Sequence, residues 1–144
     1  MHIVITRPKE DSLYLIDNLI QLGHTVTHLP AIKIEKLKTK KINLLNYQAV
    51  IFTSSNAIRF MNIEKFNSKI KCFCVGKMTE FTAKKFGFLN TYSSEGTVDS
   101  LIELVIRTLD NKSGKLLYLS SEFISKDLDK DLTNAGYSVD RISN

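Results

Sequence analysis

The stretch "AVIFTSSNAIRFM", residues 49–61, opens as an apolar run and turns amphipathic halfway. Its first part predicts a buried strand, and 56–62 predict a short helix. Thr53, Ser54, Ser55 and Asn56 stand between them, four small polar residues in a row. Open α/β sheets bind ligands just outside the carboxyl ends of their strands. A strand delivering four such side chains to that end is therefore a candidate site, if the rest of the chain builds such a sheet.

The flanking sequence does alternate in this way. "HIVIT" reads as a strand, and Pro8 stands where a first helical turn tolerates it. Glu10 and Asp11 follow at the positive end of the helix dipole, and Leu13, Ile16, Leu19 and Ile20 recur at helical spacing up to Gly23. "TVTHLP" is a second strand, stopped by Pro30. Beyond the strand and helix at 49–62, "KCFCVG" is strand and "KMTEFTAKKFG" helix. "NTYS" is a short strand, "TVDSLIELVIRTLD" a helix, "KLLYLS" a strand, "FISKDLDKDLTNAG" a helix and "YSVDRIS" a last strand. Strands alternating with helices imply parallel pairing through right-handed crossovers. The expected class is α/β, a flavodoxin-like parallel sheet with helices on both faces.

Composition narrows the function. The 144 residues are 43% apolar and 24% charged, a globular balance with enough chain for a real core. The longest apolar runs are too short to span a bilayer, and "MHIVITRP" lacks the pattern of a signal peptide, so a cytoplasmic protein without membrane association is expected. The net charge is +5, with 20 basic and 15 acidic residues. The surplus lies before residue 101 and is densest in "KIEKLKTKK", where Lys33, Lys36, Lys38, Lys40 and Lys41 cluster. Such a field attracts polyanions, although a solvated lysine surface reads the same way. No aromatic residue interleaves with these lysines, which argues against a stacking platform for nucleic acid.

Cys72 and Cys74 share one face of their strand and are too close in sequence for an ordinary disulfide. His2, His24 and His28 add no metal-ligand spacing. Buried reduced thiols, and no metal, are expected. "ITRPKED" stands where a dinucleotide fold carries its glycine fingerprint, and "VGKMT" lacks the loop that precedes Gly-Lys in a P-loop. There is also no nucleophile elbow.

Three strand-to-helix junctions remain, "IFTSSNAI", "FCVGKMTE" and "LYLSSEFI". They offer Thr53, Ser54, Ser55 and Asn56; Gly76, Lys77 and Met78; and Ser120 and Ser121. Hydroxyls and free backbone N–H groups at helix starts suit carboxylate or phosphate. Each junction read singly would also serve as an ordinary N-cap or turn.

The order and spacing of several motifs resemble one family. "IVITRP", "LGHTVTHLPAIKIEKL", "YQAVIFTSSNAIRF", "CFCVGKMTEFTAKKFGF", "EGTVDSLIELV" and "GKLLYLSSE" are similar to uroporphyrinogen-III synthases over nearly all 144 residues. The resemblance implies two α/β domains joined by a two-stranded linker, with the active site in the cleft between them. It also implies the reaction: hydroxymethylbilane is cyclised with inversion of ring D and loss of water, without a cofactor, in tetrapyrrole (haem) biosynthesis. The substrate is a polycarboxylate tetrapyrrole. Residue by residue, the resemblance carries Ser54 and Thr79 to the cleft, Thr79 as the catalytic candidate that assists the departing hydroxyl. Arg7 of "TRP" is placed to meet a carboxylate, although a surface arginine pairing with Glu10 reads the same way, and Asn56 stands where some members carry Arg.

The family's chains are longer, because they return through the linker to complete the first domain. By that comparison residues 1–31 are expected to form part of an incomplete first domain and 32–144 the second, with poor ring closure by this chain alone. A homodimer through residues 1–31 is expected to cover their apolar face. A non-catalytic α/β anion-binding module is the alternative that the residues leave open.

Overall fold

The computed structural model describes residues 1–144. The chain divides into two units, Met1–Lys36 and Leu37–Asn144, so the division falls inside the lysine-rich stretch.

In the first unit β1 (His2–Ile5) and β2 (Thr25–His28) pair in parallel, from His2 opposite Thr25 to Ile5 opposite His28. Pro8 holds an extended ψ and is followed by a 3-10 turn at Lys9–Asp11, so α1 starts only at Leu13 and runs to Gln21. The Ser12 hydroxyl donates to the Pro8 carbonyl at 2.9 Å, the local bond that competes with an uninterrupted helix. Gly23, at φ +82°, takes the left-handed conformation that ends α1. Ile5 is the one buried apolar side chain of this unit, and α1 buries none of its residues. Leu13, Tyr14, Ile20, Leu22 and Leu29 are all more than half exposed. One helix on two strands has too little surface to cover them.

The second unit begins with β3 (Ile42–Asn43). It continues through β4 (Ala49–Phe52), α2 (Ser55–Phe60), β5 (Ile63–Lys65), β6 (Lys71–Cys74), α3 (Gly76–Phe86) and β7 (Asn90–Ser93). It ends with α4 (Val98–Thr108), β8 (Leu116–Ser120), α5 (Leu128–Asn134) and β9 (Val139–Ser143). β3 and β5 pair with each other; two- and three-residue strands carry no periodic signal, which is why the sequence reading lacks them.

The other five strands form one parallel sheet in the order β7-β6-β4-β8-β9. Along β4, Val50 and Phe52 enter a core with Ala57, Ile58 and Ala83 of α2 and α3. Ala49 and Ile51 enter a second core with Leu101 and Val105 of α4 and Leu128 and Leu132 of α5. This alternation is the period-2 consequence of a strand buried on both faces. The α/β class and the helices on both faces match the expectation.

The strand order departs from the flavodoxin-like expectation. Numbered along the sheet's own strands it is 3-2-1-4-5, against 2-1-3-4-5 in flavodoxin. The sheet grows in one direction while α2 and α3 cover one face. It reverses when α4 crosses the other face and lays β8 against β4. Right-handed crossovers require that change of face whenever growth reverses direction. The switch point therefore lies between β4 and β8.

Residues 121–127 form a loop, where the sequence pattern suggests helix from Phe123; α5 starts at Leu128. The carbonyls of Ser121 and Glu122 are taken sideways by the Arg141 guanidinium, at 3.1 Å each, and do not feed a helix. Cys72 and Cys74 are buried free thiols, as expected, with their Sγ atoms 3.7 Å apart. Their mutual hydrogen bond and then burial push the Cys72 thiol far above its ordinary range, so it is not a ready nucleophile. No helix is long and apolar enough to cross a membrane.

Candidate functional site

At the switch point the ends of β4 and β8 enclose a crevice of about 210 Å³. Thr53, Ser54 and Tyr118 line it, with Ser121 and Lys126 from the loop after β8 and Val98, Phe123 and Ile124 supplying apolar wall. A larger hollow of about 430 Å³ lies along Thr39–Asn43, Asn46, Tyr47 and Ile142. None of the expected site residues reaches it, so the crevice is the candidate.

Each wall has a local cause. Phe52 is drawn into the core, and the pleat then sends Thr53 to the opposite side, where its Oγ1 lies 3.3 Å from the Tyr118 hydroxyl. Tyr118, only 2% exposed, keeps its ring in the core and its hydroxyl at the crevice. Ser54 caps α2, its Oγ accepting from the Asn56 N–H at 3.2 Å. Lys126 pairs with Asp99 and lies 3.8 Å from Asp131. Asp99 thereby holds the ammonium above its ordinary pKa, so the crevice keeps a cation with acidic company.

Thr53, Ser54 and Ser121 of the expected residues thus meet in one place. Ser55 opens α2 beside them, and the Asn56 carboxamide is turned along the helix, accepting from Arg59 at 2.7 Å. Ser120 is fully buried. Its hydroxyl accepts from Arg141 Nε at 2.9 Å and donates to the Ser121 carbonyl at 2.9 Å, so it shapes the loop.

The junction after β6 stands one strand away and does not line this crevice. There Gly76 adopts φ +73°, with the Gly96 backbone 3.7 Å from where a Cβ would project. Lys77 reaches Glu80 at 3.3 Å, Met78 is exposed, and Thr79 is 6% exposed on the inner side of α3. Arg7 belongs to the other unit, where it is exposed and its carbonyl accepts from Ser12 and His28. No three His, Cys, Asp or Glu side chains converge to hold a metal ion.

Sequence reasoning overlooked Tyr118, Lys126 and Arg141. Tyr118 left a trace, as the one polar-tipped residue among the leucines of "KLLYLS". Lys126 and Arg141 sit in ordinary charged surroundings and leave none.

A doubly wound parallel sheet with hydroxyls and a lysine at its switch point has its polar groups where sheets of this class place their ligand sites. Comparison with known proteins makes the class specific. Residues 15–143 match the family described as uroporphyrinogen-III synthase HemD, and the chain belongs to that family. It is 26% identical over 154 aligned positions to a porphyrin biosynthesis protein HemD from Ruminiclostridium josui, an alignment that covers 97% of this chain and 31% of that protein. Its fold is similar to that of wild-type uroporphyrinogen III synthase from the extremely thermophilic bacterium Thermus thermophilus, with a TM-score of 0.52 at 16% identity. The alignment covers 99% of this chain and 60% of that one. A selenomethionine mutant of the same enzyme gives a TM-score of 0.56 at 15% identity, over 99% and 61% of the two chains. The chain thus spans about a third of the curated relative and about 60% of the solved chains.

Proposed function

We propose that this chain performs the uroporphyrinogen-III synthase reaction, with poor ring closure when it acts alone. It binds hydroxymethylbilane, inverts ring D, closes the macrocycle with loss of water and uses no cofactor. The observation that carries this proposal is the switch-point crevice, where Thr53, Ser54, Tyr118 and Ser121 converge with Lys126. Hydroxyls and a fixed cation suit the carboxylates of a tetrapyrrole. Ring closure of this kind is served by holding a flexible chain folded and by dipoles aimed at developing charge. Arg7 is proposed to meet a further carboxylate. Thr79 is proposed to assist the departing hydroxyl, so Thr79→Val should lower the rate of ring closure more than product affinity.

The test is a ring-closure assay run beside titration with uroporphyrinogen III. Each hydroxyl hydrogen bond contributes about 1 kcal/mol, so Thr53→Ala with Ser54→Ala should weaken binding by about 10-fold or more. Lys38→Ala with Lys40→Ala should change it by less than about 2-fold, and added salt should weaken wild-type binding modestly. Equal losses from both pairs would mean general charge attraction and would remove the crevice as the binding site. Binding without ring closure would favour the non-catalytic anion-binding module.

We also propose that the unit 1–36 pairs with a second copy of itself. Its two strands each leave one edge unpaired, and Leu13, Ile20 and Leu22 are all more than half exposed. Sedimentation equilibrium should show concentration-dependent dimers that Leu22→Asp with Ile20→Asp abolishes. A monomer at all concentrations would sink the proposal.

A further inference from the structure

We infer that Arg141 is the positioning residue of the crevice: one guanidinium on β9 holds the loop 121–127 open against its tendency to join α5. The inference rests on the proposed carboxylate-binding function, which gives the crevice its ligand.

The geometry is specific. Arg141 stands opposite Tyr118 in the β8–β9 register. Its Nε donates to Ser120 Oγ at 2.9 Å, and its Nη2 donates to the Ser121 and Glu122 carbonyls at 3.1 Å each. Ser120 is fully buried, so this end of the clamp is anchored in the core. The loop is drawn further by Ser121 Oγ donating to the Phe123 carbonyl at 2.6 Å. The rest of the loop supplies Phe123, Ile124 and Lys126 to the crevice wall.

The local sequence favours something else. "FISKDLDKDLTNAG" has a helical pattern from Phe123 onward, yet α5 begins at Leu128. For the helix to extend upstream, the Ser121 and Glu122 carbonyls would have to accept from N–H groups four residues on, at Ser125 and Lys126. Arg141 bonds both carbonyls, and with the Ser120 anchor this ties the 121–122 backbone to β9. Extending the helix would carry Phe123, Ile124 and Lys126 away from their present positions. The clamp thus decides between two local structures, only one of which keeps the crevice. A lysine could not replace it, since one ammonium lacks the planar fork that spans three acceptors.

The experiment compares wild type, Arg141→Gln and Arg141→Lys in the whole chain. Backbone carbon chemical shifts and amide exchange are read at 121–127, and affinity is read with uroporphyrinogen III. Both variants should shift 121–127 toward helical values and lose about 5-fold or more in affinity, as expected where binding depends on a prearranged loop. The lysine variant keeps the charge, so wild-type affinity in it would assign Arg141 to simple attraction and overturn the inference. Unchanged loop shifts in Arg141→Gln would overturn it as well. A further outcome separates the two claims: if Thr53→Ala with Ser54→Ala weakens binding and Arg141→Gln does not, the function stands and the clamp falls. If wild type does not bind the macrocycle, the proposed function falls, and the loop shifts still decide whether Arg141 sets the local structure.

Discussion

Phe52→Ala is expected to lower the free energy of unfolding of the second unit by about 3–5 kcal/mol, the cost of emptying a large aromatic site in a packed core. Phe52 is fully buried on the central strand and meets Phe88 edge to face, with ring centroids 5.7 Å apart. Its neighbours come from β6, α2, α3 and β8, so no single side chain can swing in to fill the space. A domain of this size is stable by only about 5–15 kcal/mol, so the variant should unfold at a much lower urea concentration. Phe52→Leu should cost about 1–1.5 kcal/mol. Because Thr53 follows directly, Phe52→Ala should also weaken the proposed tetrapyrrole binding even where it remains folded. A loss below about 1 kcal/mol would show that α3 can collapse onto the gap and that this core is loosely held.

The second large effect belongs to Glu80, an 8%-exposed carboxylate on the inner side of α3. Thr91 of β7 donates to it at 3.0 Å, and Lys84 and Lys77 lie at 3.1 and 3.3 Å. Burial alone would raise its pKa. The hydrogen bonds from Lys84, Ser93, Thr91 and Lys77 outweigh burial and hold it at about 2. A carboxylate whose pKa is depressed on folding adds stability above its ordinary value near 4.5, and that stability is lost as pH falls toward 2. Glu80→Gln should therefore cost about 2 kcal/mol at pH 7, since the lysine partners are largely exposed and screened. The difference from wild type should shrink as the pH drops from about 5 to 2. A difference that stayed constant over that range would assign the loss to packing and not to charge. The network ties the start of α3 to β7, so the Gly76–Met78 turn should loosen in the same variant.

Much of the architecture is legible in local sequence pattern. The aliphatic runs at β4, β6 and β8 are what parallel strands covered on both faces require, and the amphipathic spacing of α1, α3 and α4 is equally local. The candidate junctions followed, because a site of this class stands at strand ends. The start of α5 lies later than its period suggests because a helical period says nothing about an arginine on β9 that ties down the preceding backbone. The strands β3 and β5 were too short to announce themselves.

By itself, then, the sequence determined which segments are strands and helices, that the sheet is parallel, and that small hydroxyls gather at its carboxyl edge. These are properties of nearest neighbours and of period, set within a few residues of chain. Only the tertiary structure decided that β8 lies beside β4, with Thr53 and Tyr118 in contact across 65 positions and the Gly76–Thr79 turn one strand away. Strand order depends on which face each crossover takes, and that is settled when whole apolar faces are buried together. The same holds for Arg141, whose three acceptors lie 19 to 21 residues earlier and become its neighbours only when β9 docks on β8.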